Sequence, residues 1–198
     1  MPSWRSAALA LLVALVVGLV LTRWEQHSSS APRADGVPTA TTTTARPGVD
    51  PPGIPADARQ ATVRWVSDGD TVTLRAVRSG VLPVGEDVAV RLLEIDTPES
   101  KRRGVAVECL ARAATAATER LLPRGSVVWV QTDRERHDRY GRTLGYVWNA
   151  RGAFVNEVLV RRGLAVVAYF PPNDRHLDRM RAAESEARAA GRGLWSRC

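Results

Sequence analysis

The order of the apolar segments in residues 59–198 constrains the fold of this chain more than any other feature of its sequence. Five segments alternate apolar and polar residues or are rich in β-branched residues, which is typical of half-buried strands. The first two flank the turn Asp68-Gly69-Asp70, and this spacing predicts a hairpin over residues 61–77. The other predicted strands cover residues 86–96, 126–132 and 141–149.

Three further segments have the pattern of helices. Residues 104–122 are rich in alanine and are followed by Pro123, while residues 153–165 and 176–195 place apolar side chains at helical spacing. The resulting order is three strands, a helix, two strands and two helices. This is the order of a five-stranded OB-fold barrel with three α-helices, a mainly β member of the α+β class, and such barrels bind oligonucleotides on one face.

The first 58 residues have a different character. Residues 6–22 carry no charge, and this length lies between the about 7–15 residues of a signal-peptide core and the about 20 of a membrane-spanning helix. We therefore expect residues 1–27 to be a membrane anchor or a signal segment, with an uncleaved anchor favoured because no small-x-small cleavage site follows promptly. Either one places the rest of the chain outside the cytoplasm. Residues 28–58 are rich in Pro, Thr, Ser and Gly, which predicts a disordered linker before a domain over residues 59–198.

The charge of the chain is concentrated in that domain. Residues 59–198 contain 24 basic and 17 acidic side chains, so they carry the whole net charge of +7. Such an excess suits a polyanionic partner such as nucleic acid, and it also suits an anionic membrane surface or a basic but otherwise ordinary surface. The two cysteines match no zinc motif, and in an extracytoplasmic domain they favour a disulfide.

Carboxylates occur at two turns that the predicted topology brings together. Asp68 and Asp70 lie in the first hairpin turn, and Asp96 and Glu99 follow the third strand. Because consecutive strands are usually adjacent, the two groups can meet at one end of the barrel. Crowded carboxylates repel one another unless a cation lies between them, and a hard cation such as Ca²⁺ or Mg²⁺ prefers oxygen ligands. Each motif taken alone is also typical of an ordinary turn.

Two arginines lie close to these carboxylates in the sequence pattern. Arg91 is on the third predicted strand, and Arg142 begins the fifth. Guanidinium groups bind phosphate oxygens in bidentate fashion and remain charged at any working pH. With 27 arginines in the chain, a solvated charge or a surface ion pair is the competing interpretation for either one.

Five motifs resemble the staphylococcal nuclease (thermonuclease) family in order and approximate spacing. They are SDGDTVTL, RLLEIDTPES, DRYGRTLGYVW, VNEVLVRRGLA and GLWS, and the resemblance covers about residues 61–196. The resemblance implies an OB-fold barrel with three helices that cleaves DNA and RNA with Ca²⁺. Under it, Asp70 and Asp96 are expected to be carboxylate ligands of Ca²⁺, and Thr97 is expected to bind it through its backbone carbonyl.

The same resemblance implies roles for the remaining residues. Glu99 is expected to be the general base or to orient the attacking water, and Arg91 and Arg142 are expected to hold the scissile phosphate. Other residues are expected to contact the substrate: Tyr140 and Tyr169 in the nucleotide pocket, and Lys101 and Arg102 on the nucleic-acid backbone. Pro171 replaces a second pocket tyrosine of the family prototype, and a disulfide is expected to join Cys109 to Cys198.

The resemblance thus implies a Ca²⁺-dependent endonuclease of DNA or RNA that gives 3′-phosphate products. We expect it to be a monomer that is membrane-anchored or secreted. The alternative of another class is a non-catalytic nucleic-acid-binding OB-fold module. It is disfavoured because every carboxylate and arginine position of the motif is filled. A membrane-anchored structural or cell-wall-binding domain would account for the linker but not for these side chains.

Overall fold

Five strands close into a barrel in the computed structural model of this chain, which describes residues 51–99 and 108–198. The strands are β1 (Arg59–Asp68), β2 (Thr71–Ala76), β3 (Asp87–Leu92), β4 (Ile95–Asp96), β5 (Val127–Gln131), β6 (Thr143–Asn149) and β7 (Val166–Val167). The barrel has the order β1-β2-β3-β6-β5, and β5 pairs with β1 to close it. Neighbouring barrel strands are antiparallel except β3 and β6, which are parallel. The predicted five-stranded barrel is confirmed.

Three helices cover the barrel, as predicted. They are α1 (Ala111–Leu121), α2 (Val155–Arg161) and α3 (Leu177–Ala189), and a short α4 (Leu194–Arg197) follows. Helix α1 begins later than the predicted residue 104, because Leu110 has a positive φ of 63° and so cannot continue a right-handed helix. The last predicted helix is divided, since Gly191 and Gly193 have positive φ values between α3 and α4.

The predicted third strand is also divided. Strand β3 ends at Leu92, Glu94 has a φ of 61°, and the chain then forms β4. Strand β4 leaves the barrel and pairs with β7, with Asp96 opposite Val166. The prediction of one continuous strand was wrong here. The turn at Glu94 is stabilised by tertiary contacts, which the local pattern of apolar and polar residues cannot predict. Asp96 and Thr97 therefore lie beside the barrel end.

The core fills the barrel and the space beneath the helices. Its largest fully buried side chains include Trp148, Tyr146, Leu74 and Leu92. Trp148 stacks on Phe154 with ring centroids 4.4 Å apart, and this contact joins β6 to the start of α2. Burial of this apolar surface supplies most of the stabilisation of such a domain. The resulting framework holds the ends of β2, β3 and β6 rigidly.

Contacts with the barrel begin before β1. Ile54 packs against the core, Ala58 is buried, and Gln131 donates a hydrogen bond of 2.5 Å to Asp57. The predicted membrane or signal segment over residues 1–27, and residues 28–50 of the predicted linker, lie outside the described residues. Within the described ranges, no helix is both long and apolar enough to cross a membrane.

Candidate active site

The hairpin turn between β1 and β2 is fixed in place by helix α1. Thr118 donates a hydrogen bond of 2.6 Å to the carbonyl of Gly69, and Thr115 donates one of 3.1 Å to the carboxylate of Asp68. Gly69 permits this close packing, because a Cβ atom there would lie 2.7 Å from the Thr97 hydroxyl oxygen. The glycine thus brings the turn into contact with the residue that follows Asp96.

Asp70 joins this turn to the β4 segment. Its carboxylate is buried and accepts hydrogen bonds of 2.9 Å from both the backbone N–H and the hydroxyl of Thr97. Thr71 donates a third bond of 3.1 Å to the same carboxylate. The backbone N–H of Leu92 donates to the carbonyl of Asp70 at 2.8 Å. Two segments 27 residues apart in the chain therefore form one site, as the sequence predicts.

Arg91 lies between the two carboxylates that were predicted to be metal ligands. Its Nη1 forms an ion pair with Asp70, and its Nη2 lies 2.5 Å from Asp96 Oδ1. The Arg91 side chain is only 13% exposed, whereas that of Asp96 is 59% exposed. Both carboxylates therefore lie against one planar guanidinium.

Arg142 is held on the neighbouring strand by Asp138. Its Nε donates a hydrogen bond of 2.7 Å to Asp138, and the backbone N–H groups of Arg142 and Tyr140 both donate to this carboxylate at 2.9 Å. Burial opposes ionisation of Asp138, but these hydrogen bonds prevail and lower its pKa. Asp138 therefore stays ionised and fixes both Arg142 and Tyr140 at the start of β6.

The two guanidinium groups are near enough to influence each other. Burial lowers the pKa of Arg91, the carboxylate of Asp96 raises it, and the positive charge of Arg142 lowers it further. An arginine remains charged in spite of such a shift. Arg91 contacts Asp70 and Asp96, and Arg142 directly precedes Thr143, which pairs with Val90, the neighbour of Arg91. Two positive charges on adjacent strand ends favour a bound anion.

Glu99 follows Thr97 by two residues and is half buried. Its backbone N–H donates a hydrogen bond of 2.9 Å to the side chain of Glu108, and its carbonyl accepts one of 3.2 Å from the backbone N–H of Glu108. Lys101 and Arg102, which were predicted to contact the nucleic-acid backbone, lie in the segment 100–107 outside the described residues.

The two predicted pocket tyrosines are accessible to solvent. Tyr140 is 68% exposed, and the guanidinium of Arg142 lies over its ring at 5.5 Å from the centroid. Tyr169 is 45% exposed and follows β7. Phe170, which the sequence reasoning did not select, is 59% exposed.

The loop that carries Tyr140 is bound to the segment that carries Tyr169. Asn173 and Glu135 exchange two hydrogen bonds, of 2.9 and 3.0 Å. The backbone N–H groups of Asp174 and Arg175 both donate to the Asp133 carboxylate at 3.0 Å. These hydrogen bonds fix the two tyrosine-bearing segments to each other.

Cys109 and Cys198 form a disulfide in this structure, with their Cα atoms 6.0 Å apart. The bond joins the turn before α1 to the residue after α4. Because Cys109 follows Glu108 directly, the disulfide lies one residue from the contact with Glu99.

The sequence reasoning missed a buried carboxyl group beside the site. Glu94 is 1% exposed, and its Oε1 accepts hydrogen bonds of 2.5 Å from the Tyr146 hydroxyl and 3.0 Å from the backbone N–H of His176. Its own carbonyl accepts a bond of 2.9 Å from Ala168. These contacts hold the turn between Arg91 and Asp96. The signal was present, since Glu94 is the one charged residue in the apolar run Leu92–Ile95.

The Glu94→Gln protein is expected to become more stable than the wild type, by an amount that grows as the pH rises. Burial raises the pKa of Glu94, the hydrogen bonds from Tyr146 and His176 oppose this, and the nearby charges of Asp133 and Asp174 raise it further. Above pH 4.5, the ordinary pKa, the unfolded chain releases this proton while the folded protein retains it. The folded state then binds more protons, so the contribution of Glu94 to stability falls with pH up to the folded pKa.

Urea unfolding of both proteins at several pH values between about 4 and 8 measures this effect. The difference in unfolding free energy between Glu94→Gln and wild type should be small near pH 4.5 and then grow in favour of glutamine. Glu86→Gln, at an exposed glutamate, is the matched control and should show no such trend. A difference that is constant with pH, or that favours the wild type as pH rises, would contradict the prediction.

The donor atoms at Asp70, Asp96 and Thr97 fit a hard divalent cation. Both carboxylates already converge on one positive group, and all the candidate ligands are oxygens. In the described ranges, no group of three or more His, Cys, Asp or Glu side chains is arranged to hold a metal. A cation here would therefore complete its coordination with backbone oxygen, water and substrate oxygens, which is the usual arrangement when substrate must also bind.

Comparison with known proteins gives a consistent result. A family model described as Staphylococcal nuclease homologue matches residues 89–197, a range that begins in β3 and so does not include Asp70. The chain is 36% identical over 135 residues to a thermonuclease from Staphylococcus intermedius, which is 68% of this chain and 75% of that protein. It is 33% identical over 131 residues to a thermonuclease from Staphylococcus hyicus, covering 66% of this chain and 72% of that protein. It is 34% identical over 131 residues to endonuclease YncB from Bacillus subtilis (strain 168), covering 66% of this chain and 58% of that protein.

Proposed function

The chain belongs to the staphylococcal nuclease homologue family, and on that premise we propose that it is a Ca²⁺-dependent endonuclease that hydrolyses phosphodiester bonds of DNA or RNA. The observation that carries the proposal is the arrangement around Arg91. This guanidinium contacts Asp70 and Asp96 at once, and Arg142 precedes Thr143, which pairs with Val90 beside Arg91. A cation bound by the carboxylates would then adjoin a phosphate bound by the arginines.

The carboxylates of Asp70 and Asp96, with the backbone carbonyl of Thr97, would hold the Ca²⁺ ion. Bound there, the ion supplies positive charge that neutralises phosphate oxygens and lowers the pKa of a bound water. Oxygen ligands and a flexible coordination number favour Ca²⁺ over softer metals. The hydrogen bonds from Thr97 to Asp70 orient one of the two ligating carboxylates in advance.

Arg91 and Arg142 bind the non-bridging oxygens of the scissile phosphate. Their charges stabilise the additional negative charge that develops when water attacks the phosphorus atom. Asp138 keeps the Arg142 side chain in place before the substrate arrives, so little reorganisation is needed during the reaction. Arg91 is restrained by two carboxylates in the same way.

Glu99 accepts the proton of the attacking water as general base. A base must lie within about 2.6–3.2 Å of the proton donor, or reach it through one water. Glu99 lies two residues after Thr97 and is half buried, which supports a place near the proposed cation ligands. Breaking the bond between phosphorus and the 5′ oxygen, which leaves as a 5′-hydroxyl, would give 3′-phosphate products.

Aromatic side chains at the rim would bind the nucleotide. Tyr140 and Tyr169 are exposed, and each offers a ring for stacking and a hydroxyl for hydrogen bonding. Lys101 and Arg102 would add contacts with the phosphate backbone. A substrate held by stacking and by phosphate contacts is bound with little sequence preference, and its affinity falls as salt is raised.

We also propose that the domain works outside the cytoplasm as a monomer, either secreted or anchored by residues 1–27. The Cys109–Cys198 disulfide supports this location, because such bonds persist in oxidising compartments. Mass spectrometry of the protein recovered from the medium and the membrane fraction would identify the mature amino terminus. Recovery of the intact protein from the cytoplasm alone would contradict the proposal.

Incubation with plasmid DNA and with single-stranded RNA, in Ca²⁺ or in an excess of chelator, tests the proposed activity. Cleavage in Ca²⁺ that the chelator abolishes is the expected result, and nicked circles before linear fragments would identify an endonuclease. Binding without cleavage under any metal condition would instead favour a non-catalytic nucleic-acid-binding module. The full-length chain should be used, with an Arg142→Ala protein as the matched inactive control.

A further inference from the structure

We propose that Glu108 is a positioning residue that holds the backbone of Glu99, and that the Cys109–Cys198 disulfide braces Glu108 in turn. The inference rests on the proposed function, in which Glu99 is the general base. It assigns a role in catalysis to a side chain that contacts neither the cation ligands nor the arginines in the described part of the chain.

The first support is the pair of hydrogen bonds between Glu99 and Glu108. The carboxylate of Glu108 accepts the Glu99 N–H at 2.9 Å, and the Glu108 N–H donates to the Glu99 carbonyl at 3.2 Å. Both backbone polar groups of Glu99 are therefore bound by one residue. Glu99 and Glu108 flank residues 100–107, so this contact joins the two ends of that segment.

The second support is the anchoring of the neighbouring cysteine. Cys109 is bonded to Cys198, and its Sγ lies 3.5 Å from the carbonyl oxygen of Arg197. The residue after Glu108 is thereby fixed to the end of α4.

Helix α4 is itself fixed to the helical layer. The backbone N–H of Leu194 donates to the Gly163 carbonyl at 2.9 Å, and a Cβ atom on Gly193 would lie 2.2 Å from that oxygen. Arg188 of α3 also lies over the Trp195 ring at 4.2 Å from its centroid. Contacts with Gly163, after α2, and with Arg188 of α3 thus hold α4. The disulfide then joins the end of α4 to Cys109, next to Glu108, which binds the backbone of Glu99.

Precise placement of Glu99 matters because proton transfer is sensitive to distance. A general base displaced by about 1 Å can lose on the order of 10²-fold in rate. Glu108 is exposed and adds little to the core, so its substitution should leave the fold intact. A loss of rate after its removal would thus report the position of Glu99 and not the stability of the domain.

Two substitutions at one position separate positioning from charge. Glu108→Gln keeps an oxygen that can accept the Glu99 N–H, whereas Glu108→Ala removes it. We expect Glu108→Ala to lower kcat about tenfold or more with KM nearly unchanged, and Glu108→Gln to stay within about threefold of wild type. Glu119→Ala, at an exposed glutamate on α1, makes the same charge change and should leave kcat unchanged.

Amide hydrogen exchange at Glu99 provides a readout that does not depend on activity. The Glu99 N–H should exchange about tenfold faster in Glu108→Ala than in the wild type, with Glu108→Gln close to the wild type. Equal exchange rates in all three proteins would overturn the inference. So would an unchanged kcat in a Glu108→Ala protein whose Glu99 amide has lost its protection.

The brace is tested by reducing the disulfide under conditions where circular dichroism shows that the protein remains folded. Reduction should lower kcat in the wild type but have little further effect in Glu108→Ala, because both changes release the same contact. Additive losses would overturn the role of the disulfide. Failure of the wild type to cleave nucleic acid in Ca²⁺ would overturn the proposed function instead, and the exchange experiment would still decide whether Glu108 holds Glu99.

Discussion

The Glu99→Gln protein is expected to cleave nucleic acid about 10²–10⁴-fold more slowly than the wild type, because glutamine cannot accept the proton of the attacking water. The side chains are nearly equal in size, so the half-buried site keeps its packing. The two hydrogen bonds between Glu99 and Glu108 involve the backbone of Glu99 and should survive the substitution. The loss should therefore appear in kcat, with little change in KM.

Initial rates on a defined oligonucleotide, at saturating Ca²⁺ and over a range of substrate concentrations, measure this effect. Glu119→Gln is the matched control, since it removes the same charge from an exposed position on α1. Equal melting temperatures of the three proteins would show that the fold is retained. A Glu99→Gln protein with wild-type kcat would show that another group accepts the proton.

Loss of the disulfide is expected to have the largest effect on stability. The bond closes a loop with a sequence separation of 89 residues, and the chain-entropy account assigns about 4–5 kcal/mol to a loop of this length. A domain is typically stable by only about 5–15 kcal/mol. The Cys109→Ser/Cys198→Ser protein should therefore unfold at a much lower urea concentration than the oxidised wild type.

Equilibrium unfolding in urea, with and without a reducing agent, provides the measurement. The reduced wild type should match the double variant, and a reducing agent should not affect the double variant. A difference below about 1 kcal/mol between the oxidised wild type and the double variant would contradict the prediction, because it would place the stabilisation far below the entropic value.

The barrel was predictable because its evidence is local. Alternation of apolar residues, the Asp68-Gly69-Asp70 turn and the glycines after the helices each report the conformation of a few neighbouring residues. Strands β4 and β7 were not predictable in the same way. Each has only two residues, and their pairing depends on Glu94, a non-glycine residue with positive φ whose side chain is held by Tyr146 and His176.

The motifs predicted that Asp70, Asp96, Arg91 and Arg142 lie at one barrel end, but not which contacts they make. In the structure Arg91 contacts both carboxylates, and Arg142 precedes the residue that pairs with Val90. Their sequence positions gave no sign that Arg91 bridges the two carboxylates, that Asp138 holds Arg142, or that Glu108 binds Glu99. Such contacts arise only once distant segments have been packed together. The chemical roles of these residues remain predictions.

The dependence of cleavage rate on free Ca²⁺, compared between wild type and Asp96→Asn, tests the central claim most directly. Asp96 is 59% exposed, so its substitution removes a ligand charge without disturbing the core. The wild type should be inactive in chelator and recover with Ca²⁺, and Asp96→Asn should require about tenfold or more Ca²⁺ for half-maximal rate. Cleavage by the wild type at full rate in chelator, or an unchanged Ca²⁺ requirement in Asp96→Asn, would contradict a shared cation between Asp70 and Asp96.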